Sequence, residues 1–340
     1  MRFLRSVLPA VLAVVALRAA PVEAQAVTTV KIATVAPEGT PWAVGLKEFE
    51  KQVESQSGGK IDVRVFLNGV LGDENETVQQ CARGQIQGVG ASTGALGTLV
   101  PDLNVLELPR LFRTAEEADH ILDNVALATF EKSFQAKGLV LGFWSENGYR
   151  SFGTRFGFVK SPADLKGHKM RSQESPVHIE MYRAFGASPT PIPITEVLTS
   201  MQTGVIDGYD NTPLFSMAAQ LTSATKFFTV TQHIYQPAAI VYNKAFFDAL
   251  PADQKALLLS ARNGLMQRMR KEIRALEPIL LQNFAAMKVQ VYTPTAAELA
   301  TFDAPAKTAR DAYLAKASAG EKAAYALITK GLESYRAGKK

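Results

Sequence analysis

Residues 81–93 read CARGQIQGVGAST, and residues 201–212 read MQTGVIDGYDNT. Both segments carry the pattern G-x-I-x-G, formed by Gly84, Ile86 and Gly88 and again by Gly204, Ile206 and Gly208. In each segment the pattern follows an amphipathic helical stretch and leads into a short run that is typical of a strand. The repeat predicts two similar lobes. The alternative is that G-x-I-x-G serves here only as ordinary punctuation between a helix and a strand.

Strand and helix patterns alternate around the first copy of this unit. Alternating apolar and polar residues indicate strands, whereas apolar residues at helical spacing indicate helices. The predicted strands are 27–35, 61–66 and 88–91, and the predicted helices are 42–55 and 74–83. This order is typical of an α/β fold with a largely parallel sheet, in which ligands bind beyond the carboxyl ends of the strands. We therefore expect a binding cleft at residues 91–94 and 209–212.

A long helical stretch follows from Pro251 to Lys288, where apolar residues recur at spacings of three, four or seven. A helix of that length extends about 55 Å, which is more than the width of one lobe. Pro278 should kink it. We expect this helix to lie along both lobes.

The first 26 residues have the composition of a secretory signal peptide. Arg2 and Arg5 precede an uninterrupted apolar run of 11 residues from Val7 to Leu17, and small residues follow near Ala26. This run is too short to cross a bilayer, which takes about 20 apolar residues. The sequence thus predicts an exported chain whose leader is removed.

Composition and charge exclude several classes of function. The chain of 340 residues has 37 lysines and arginines and 32 aspartates and glutamates, and without residues 1–24 its net charge falls from +5 to +3. This weak and scattered charge does not favour nucleic-acid binding. Cys81 is the only cysteine, which excludes an intramolecular disulfide or a cysteine-based metal centre. No metal or cofactor motif occurs, so we predict neither.

One motif raises the possibility of an enzyme. Residues 90–94 read GASTG, which matches the G-x-S-x-G nucleophile elbow around Ser92. The elbow should lead directly into a helix, but residues 95–104 contain Gly97 and Pro101 and show no helical pattern. The four histidines cannot be placed near Ser92 from the sequence. A secreted α/β hydrolase is therefore kept only as the alternative, and no catalytic residue is predicted.

The most specific motif extends from residue 147 to residue 212. Its parts are GYR at 148–150, SPADLKG at 161–167, KMR at 169–171, FGASPTPIP at 185–193, EVLTSMQTGVIDG at 196–208 and an asparagine at 211. Two earlier phrases belong with it, SGGKIDVRVFLNGVLG at 57–72 and LELPRLF at 106–112. Together they resemble the solute receptors of tripartite ATP-independent periplasmic (TRAP) transporters, of the C4-dicarboxylate-receptor type. The resemblance covers residues 27–330.

The resemblance implies an α/β, two-lobed periplasmic-binding-protein fold, class II-like, in which each lobe is a mixed sheet flanked by helices and a long kinked helix spans both. Lobe I would comprise residues 27–148 plus about 237–276, and lobe II residues 149–236 plus about 277–330, with 331–340 as a polar tail. The implied protein is a receptor in the periplasm of a Gram-negative bacterium. It closes over a small organic carboxylate and delivers it to the small and large TRAP membrane subunits. We predict a monomer, with a homodimer and a receptor that serves a sensor left open.

The resemblance also assigns site residues. Arg171 takes the position of the family's carboxylate-binding arginine, whose guanidinium offers two parallel donors. Arg150 matches a second basic residue, Asn211 matches a cleft asparagine, and Ile194 stands where relatives often have an aromatic residue. Further candidates from cleft-lining regions are Glu38, Trp42, Asp73, Glu74, Ser92, Thr93 and Glu174. Tyr209 and Phe215 are also candidates, and they either wall the cleft or pack in the core.

Overall fold

The computed structural model describes residues 27–338, so the predicted signal peptide at 1–26 lies outside the described residues. The strands are β1 Thr28–Thr34, β2 Ile61–Phe66, β3 Gly88–Ser92, β4 Leu139–Thr154, β5 Lys169–Ser172, β6 Ser188–Pro191, β7 Gly208–Asn211, β8 Phe227–Asn243 and β9 Gln290–Tyr292. The helices are α1 Pro41–Gln56, α2 Glu74–Ala82, α3 Thr93–Leu96, α4 Ala115–His120, α5 Leu127–Ala136, α6 Pro176–Ala184, α7 Val197–Thr203, α8 Pro213–Ala218, α9 Lys244–Ala249, α10 Ala252–Leu259, α11 Leu265–Ala286, α12 Ala296–Ala300, α13 Asp303–Lys316 and α14 Ala319–Ala337.

The strands of the described residues form one mixed sheet in the order β2-β1-β3-β8-β4-β7-β5-β6, with β9 beside β8. Strand β1 runs parallel to β2 and β3, and β5 runs parallel to β6 and β7. The long strands β4 and β8 are antiparallel to each other and join the two ends of the sheet. The order 2-1-3-8 is thus mirrored as 6-5-7-4. The mixed α/β architecture predicted from the sequence is confirmed.

The repeated glycines have the same role in both units. Gly84 follows α2 with a φ of 75°, and Gly204 caps α7 with a φ of 78°. Both angles lie in the left-handed region, which residues with a Cβ rarely adopt. A residue in this conformation commonly ends a helix. The backbone of each unit therefore turns in the same way from its helix into β3 or β7.

The buried apolar side chains form one large cluster and three smaller ones within the described residues. The large cluster lies around β1–β3 and α1, and the smaller ones lie around β5–β7 and the start of β8. Helix α11 contributes to both regions, because Met269 and Ile273 pack in the large cluster and Phe284 packs in a small one. A long helix spanning the two regions is present, as predicted.

That helix is shorter than the sequence predicted. The stretch from Pro251 to Lys288 is interrupted after α10 by a 3₁₀ turn at Ser260–Arg262 and by Gly264, whose φ is 105°. Helix α11 begins only after this glycine and contains Pro278. The prediction of one continuous helix was therefore wrong, because a 3₁₀ turn and a glycine at positive φ separate α10 from α11.

The C-terminal helix α14 also differs from the prediction, which placed residues up to 330 in lobe II and the rest in a polar tail. It continues to Ala337 and buries Ile328 and Leu332 in the large cluster. Near its end Arg336 pairs with Glu117 at 2.7 Å. Helix α14 thus packs on the N-terminal unit. No helix within residues 27–338 is long and apolar enough to cross a membrane.

Candidate functional site

A cavity lies where the carboxyl ends of β1, β3, β5 and β7 meet, as the sequence predicted. With its mouth included it measures about 640 Å³. The lining residues are Thr34, Val35, Ala36, Pro37, Thr40, Trp42, Glu74, Gly90, Ala91, Ser92, Asn147, Arg150, Arg171, Gln173, Ile194, Asn211, Thr212, Leu214, Phe215 and Gln236. They come from both repeated units and from the two connecting strands.

The repeated unit places a polar residue at matching points on the two sides. Ser92 ends β3 and caps α3, accepting a hydrogen bond from the N–H of Ala95 at 3.3 Å. Thr212 follows β7 and caps α8, accepting from the N–H of Phe215 at 3.2 Å. Because a cap fixes the entry of the chain into its helix, both strand ends are held rigidly at the cavity.

Arg171 is the cavity's cation without an acidic partner. Its side chain is only 3% exposed, and its Nε donates to the carbonyl oxygen of Ile192 at 3.1 Å. Among the described residues no carboxylate oxygen lies within 4.0 Å of its guanidinium. Burial, and then repulsion from Arg150, lowers the pKa of Arg171 to about 10, so the group is still charged at neutral pH. Its two terminal nitrogens are thus available to an anion.

Arg150 lines the same cavity but is already engaged. Its Nε donates to Asp210 Oδ2 at 2.6 Å, its Nη2 to the Asp210 carbonyl oxygen at 2.5 Å and its Nη1 to Gln236 Oε1 at 2.8 Å. Burial alone would raise the pKa of Asp210, but Arg150 and His233 outweigh it and hold that pKa well below its usual value. The ion pair therefore cancels the charge of Arg150.

A buried polar layer supports this ion pair from behind the cavity. Tyr182 donates to Asp210 Oδ1 at 2.8 Å, and the ring of His233 stacks on Phe152 with centroids 4.2 Å apart. Glu107 pairs with His178 at 2.6 Å. Hydrogen bonds are strong in a low-dielectric interior, so the bond from Tyr182 helps to hold Asp210 beside Arg150.

Glu74 is an acidic residue that lines the same cavity as Arg171 but does not pair with it among the described residues. Its two oxygens accept from the N–H of Ser92 at 2.7 Å and from the Ser92 hydroxyl at 2.9 Å. Burial raises the pKa of Glu74 to about 7, against the lowering effect of these hydrogen bonds. Gln173 donates to Ser92 Oγ at 2.7 Å and accepts from Gln236 Nε2 at 2.9 Å. A continuous chain of hydrogen bonds thus runs from Glu74 to Arg150.

The structure brings together eight of the residues that the sequence analysis singled out. These lining residues are Trp42, Glu74, Ser92, Arg150, Arg171, Ile194, Asn211 and Phe215. Asp73 and Glu174 lie beside the cavity: the charge of Asp73 acts on Arg171, and Glu174 accepts from Asn75 Nδ2 at 2.7 Å.

Three candidates lie elsewhere. Tyr209 is a core residue whose hydroxyl bonds to Thr225 at 3.1 Å. Thr93 is buried behind the cavity and donates to Glu107 at 2.6 Å. Glu38 is exposed on the loop after β1. Both Tyr209 and Thr93 point into the protein: Tyr209 packs in a small apolar cluster, and Thr93 begins α3 and is turned toward Glu107.

Several polar lining residues were not predicted, of which Gln173, Gln236 and Asn147 make the most hydrogen bonds. Gln173 could have been predicted from the sequence, since it lies two residues after Arg171 and extended backbone places such residues on one face. No pattern in the sequence indicated Gln236 or Asn147. They meet because β4 and β8 pair in this region, where Asn147 Nδ2 donates to Gln236 Oε1 at 3.1 Å.

Ser92 lacks the surroundings of a hydrolase nucleophile. One turn of helix does follow it, which the sequence analysis did not expect. The side-chain partners of its hydroxyl are Glu74 and Gln173, and no histidine nitrogen among residues 27–338 lies within hydrogen-bonding distance of it. A serine nucleophile needs a neighbouring base that accepts its proton and is held by a third group.

Comparison with known proteins gives a consistent result. Residues 32–316 match the model of the bacterial extracellular solute-binding proteins, family 7. A solute-binding protein of Verminephrobacter eiseniae is 38% identical over 242 residues, which cover 71% of this chain and 72% of the relative. The 2,3-diketo-L-gulonate-binding periplasmic protein YiaO of Escherichia coli is 34% identical over 223 residues, which cover 65% and 68%.

A solved structure agrees with these relatives. The TRAP periplasmic solute-binding protein of Citrobacter koseri, with bound D-glucuronate, is 30% identical and superimposes with a TM-score of 0.80. The match covers 87% of this chain and 98% of that one. This chain therefore belongs to family 7 of the bacterial extracellular solute-binding proteins, the solute receptors of TRAP transporters.

Proposed function

We propose that this receptor binds a hydroxylated organic acid with a single carboxylate, and that Arg171 holds that carboxylate. The observation that carries the proposal is the buried guanidinium of Arg171, which has no acidic partner within 4.0 Å among the described residues. A charge-assisted, two-pronged pair with a carboxylate is strong in such a desolvated place. Because Asp210 neutralises Arg150, the cavity has charge for one carboxylate.

The remaining lining suits hydroxyl groups. Asn211 Nδ2 has no protein partner among residues 27–338, while its Oδ1 accepts from the N–H of Thr212. Carboxamides and hydroxyls both donate and accept, so they match the alcohol groups of a ligand. A second carboxylate would meet no further unpaired cation among the described lining residues, because Arg150 is paired with Asp210. Trp42, Ile194 and Phe215 add apolar surface for the carbon skeleton.

Two of the compared proteins carry the name of a ligand of this class. One of them is named for 2,3-diketo-L-gulonate, and the solved structure holds D-glucuronate. Both compounds are sugar acids with one carboxylate. We extend this class, and no individual compound, to the present chain.

The contacts across the cavity support a receptor that closes over its ligand. Gln173, which follows β5, reaches Ser92 at the end of β3, and Glu174 reaches Asn75 in α2. These bonds join the two repeated units on either side of the cavity. We propose that each unit, with its share of β4 and β8, forms one lobe, and that α14 belongs to the N-terminal lobe. Closure by hinge motion is the usual response of such receptors.

The proposal extends to location and partners. The leader-like composition of residues 1–26 supports export to the periplasm. TRAP receptors work with membrane permease subunits, and we propose that a monomer of this chain delivers its ligand to such a pair. A neighbouring gene pair for a small and a large membrane subunit would support this over a receptor that serves a sensor.

Calorimetric titration of the mature chain tests the ligand class. The panel contains D-glucuronate and D-gluconate as sugar acids, succinate and malate as dicarboxylates, and D-glucose as a neutral control. We expect at least one sugar acid to bind more tightly than either dicarboxylate, and D-glucose not to bind. Tighter binding of the dicarboxylates would contradict the proposal.

A further inference from the structure

We infer that Glu74 takes up a proton from solvent when the anionic ligand binds, so that the cavity receives a carboxylate and a proton together. This inference rests on the proposed function, because it requires an anionic ligand in this cavity. It makes Glu74 a residue that determines both the charge of the accepted ligand and the pH range of binding.

The position of Glu74 is the first observation. It is the first residue of α2, it lines the same cavity as Arg171, and its partners are uncharged. These partners are the N–H and hydroxyl of Ser92, at 2.7 and 2.9 Å, and Gln173 Nε2 at 3.4 Å. Among the described residues no basic nitrogen lies within 4.0 Å of its carboxylate. The negative charge of Glu74 is therefore solvated by dipoles alone.

The charged groups around Glu74 are the second observation. Asp73, the preceding residue, and Glu107, behind Ser92, both disfavour a negative charge on Glu74. Glu107 is itself paired with His178, and Asp73 lies in the field of Arg171. The amino end of α2 acts in the opposite direction, because it favours a nearby anion. None of these groups is a cation that forms an ion pair with Glu74.

A bound carboxylate changes this balance. It introduces another negative charge into an enclosed space and excludes water from the wall. Both effects favour the neutral form of a carboxyl group. Since burial already brings the pKa of the unliganded Glu74 to about 7, a modest further rise suffices for proton uptake near neutral pH. The protonated carboxyl then has an O–H that can donate to a ligand hydroxyl, while the ligand carboxylate stays ionised on Arg171.

The sign of the pH dependence follows from linkage. Protons are taken up at pH values between the pKa of Glu74 in the free receptor and its higher pKa in the complex. Affinity should thus be greatest below about pH 7 and fall at higher pH, by up to about tenfold per pH unit within that window. A ligand that carries no charge should show a much weaker dependence.

Proton counting by calorimetry tests the inference. The acid that binds most tightly in the panel is titrated at pH 7.5 in phosphate and in Tris, whose ionisation enthalpies differ. We expect a net uptake between zero and one proton for the wild-type receptor, and none for Glu74→Gln. Glu76→Gln is the matched control, because Glu76 lies exposed on the same helix, and it should keep the uptake.

The outcomes separate the two proposals. Tight binding without proton uptake, or uptake that persists in Glu74→Gln, would overturn the role of Glu74 and leave the proposed function intact. If no acid of the panel binds, both fail together. Should Glu74→Gln not fold, the wild-type protein can be tested by carbon NMR of its glutamate carboxyl groups. One carboxyl resonance should titrate with a midpoint near pH 7, and this midpoint should move to higher pH when ligand is added. An unchanged midpoint would contradict the inference.

Discussion

The two repeated units of this receptor share a topology and differ in the charge that they bring to the cavity. In the first unit, the strand end at Ser92 meets Glu74, an acid with uncharged partners. In the second unit, β5 contributes Arg171, a cation without a close acid, and β7 ends at Asn211. The strand order thus places the cavity, and we propose that a few residues at the strand ends determine which ligand it accepts.

The second unit contains a further contrast, between its own arginine and the one on β4. Arg171 and Arg150 are both almost fully buried, but only Arg150 has a carboxylate partner, at 2.6 Å. An arginine in a cavity is therefore not by itself a ligand-binding residue. This contrast supports the proposal that Arg171 binds the ligand and that Arg150 has a structural role.

Replacing Arg171 should have the largest effect on binding. Arg171→Ala removes the partner of a buried carboxylate, which costs about 4 kcal/mol, or roughly a thousandfold in Kd. The Kd of Arg171→Lys should fall between those of the wild type and Arg171→Ala, because lysine keeps the charge and loses the two-pronged geometry. Calorimetric titration measures the change. Arg155→Ala, outside the cavity lining, is the control, and unchanged affinity in Arg171→Ala would contradict the assignment.

Breaking the ion pair between Arg150 and Asp210 should lower the stability of the folded protein. Asp210→Asn leaves Arg150 buried without its counter-charge, which should lower the free energy of unfolding by about 3 kcal/mol. Arg171→Ala should change stability much less when no ligand is present. Urea denaturation of the two variants compares them directly. Equal stability losses would mean that the two arginines do not divide their roles as described.

The same ion pair predicts the behaviour of the protein in acid. The pKa of Asp210 is well below its usual value in the folded state, so its stabilising contribution is complete above about pH 4. It is lost as the pH falls through the lowered folded-state pKa. In a pH series of urea denaturations, the gap between wild type and Asp210→Asn should narrow at the acidic end. A constant gap down to pH 2 would indicate another origin for the effect.

The smallest effect concerns the glycines that the two units share. Gly84→Ala and Gly204→Ala each place a Cβ on a left-handed residue, which should cost about 1 kcal/mol of folding stability. The two losses should be similar, since the φ angles are 75° and 78°. Thermal unfolding measures them, with Gly338→Ala, at a φ of −74°, as the control. Clearly unequal losses would show that the units are less alike than their backbones indicate.

Local patterns in the sequence were sufficient for most elements and for the position of Arg171 in the cavity lining, because its motif is long. They could not reveal the state of Arg150, because its partner Asp210 comes from β7, which meets β4 only in the folded sheet. The periodicity of the long helix continues across its break, since Leu258 and Leu265 remain seven residues apart. The break consists of a 3₁₀ turn at Ser260–Arg262 and the positive φ of Gly264, and the spacing of apolar residues indicates neither.

The position of the last helix was equally beyond the sequence. The pattern of α14 shows which face is apolar, with Ile328 and Leu332 on it, but not which lobe covers that face. Docking onto the N-terminal unit depends on long-range contacts such as Arg336 with Glu117. The same limitation applies to Gln236, which becomes a site residue only through the pairing of β4 and β8.

A crystal structure of the complex tests the central claim most directly. The ligand should be the acid with the tightest binding in the calorimetric panel. Both carboxylate oxygens are predicted to lie within about 3 Å of the terminal nitrogens of Arg171, while Arg150 keeps its bonds to Asp210. A ligand carboxylate bound to Arg150 with Asp210 displaced, or one that does not contact Arg171, would contradict the account.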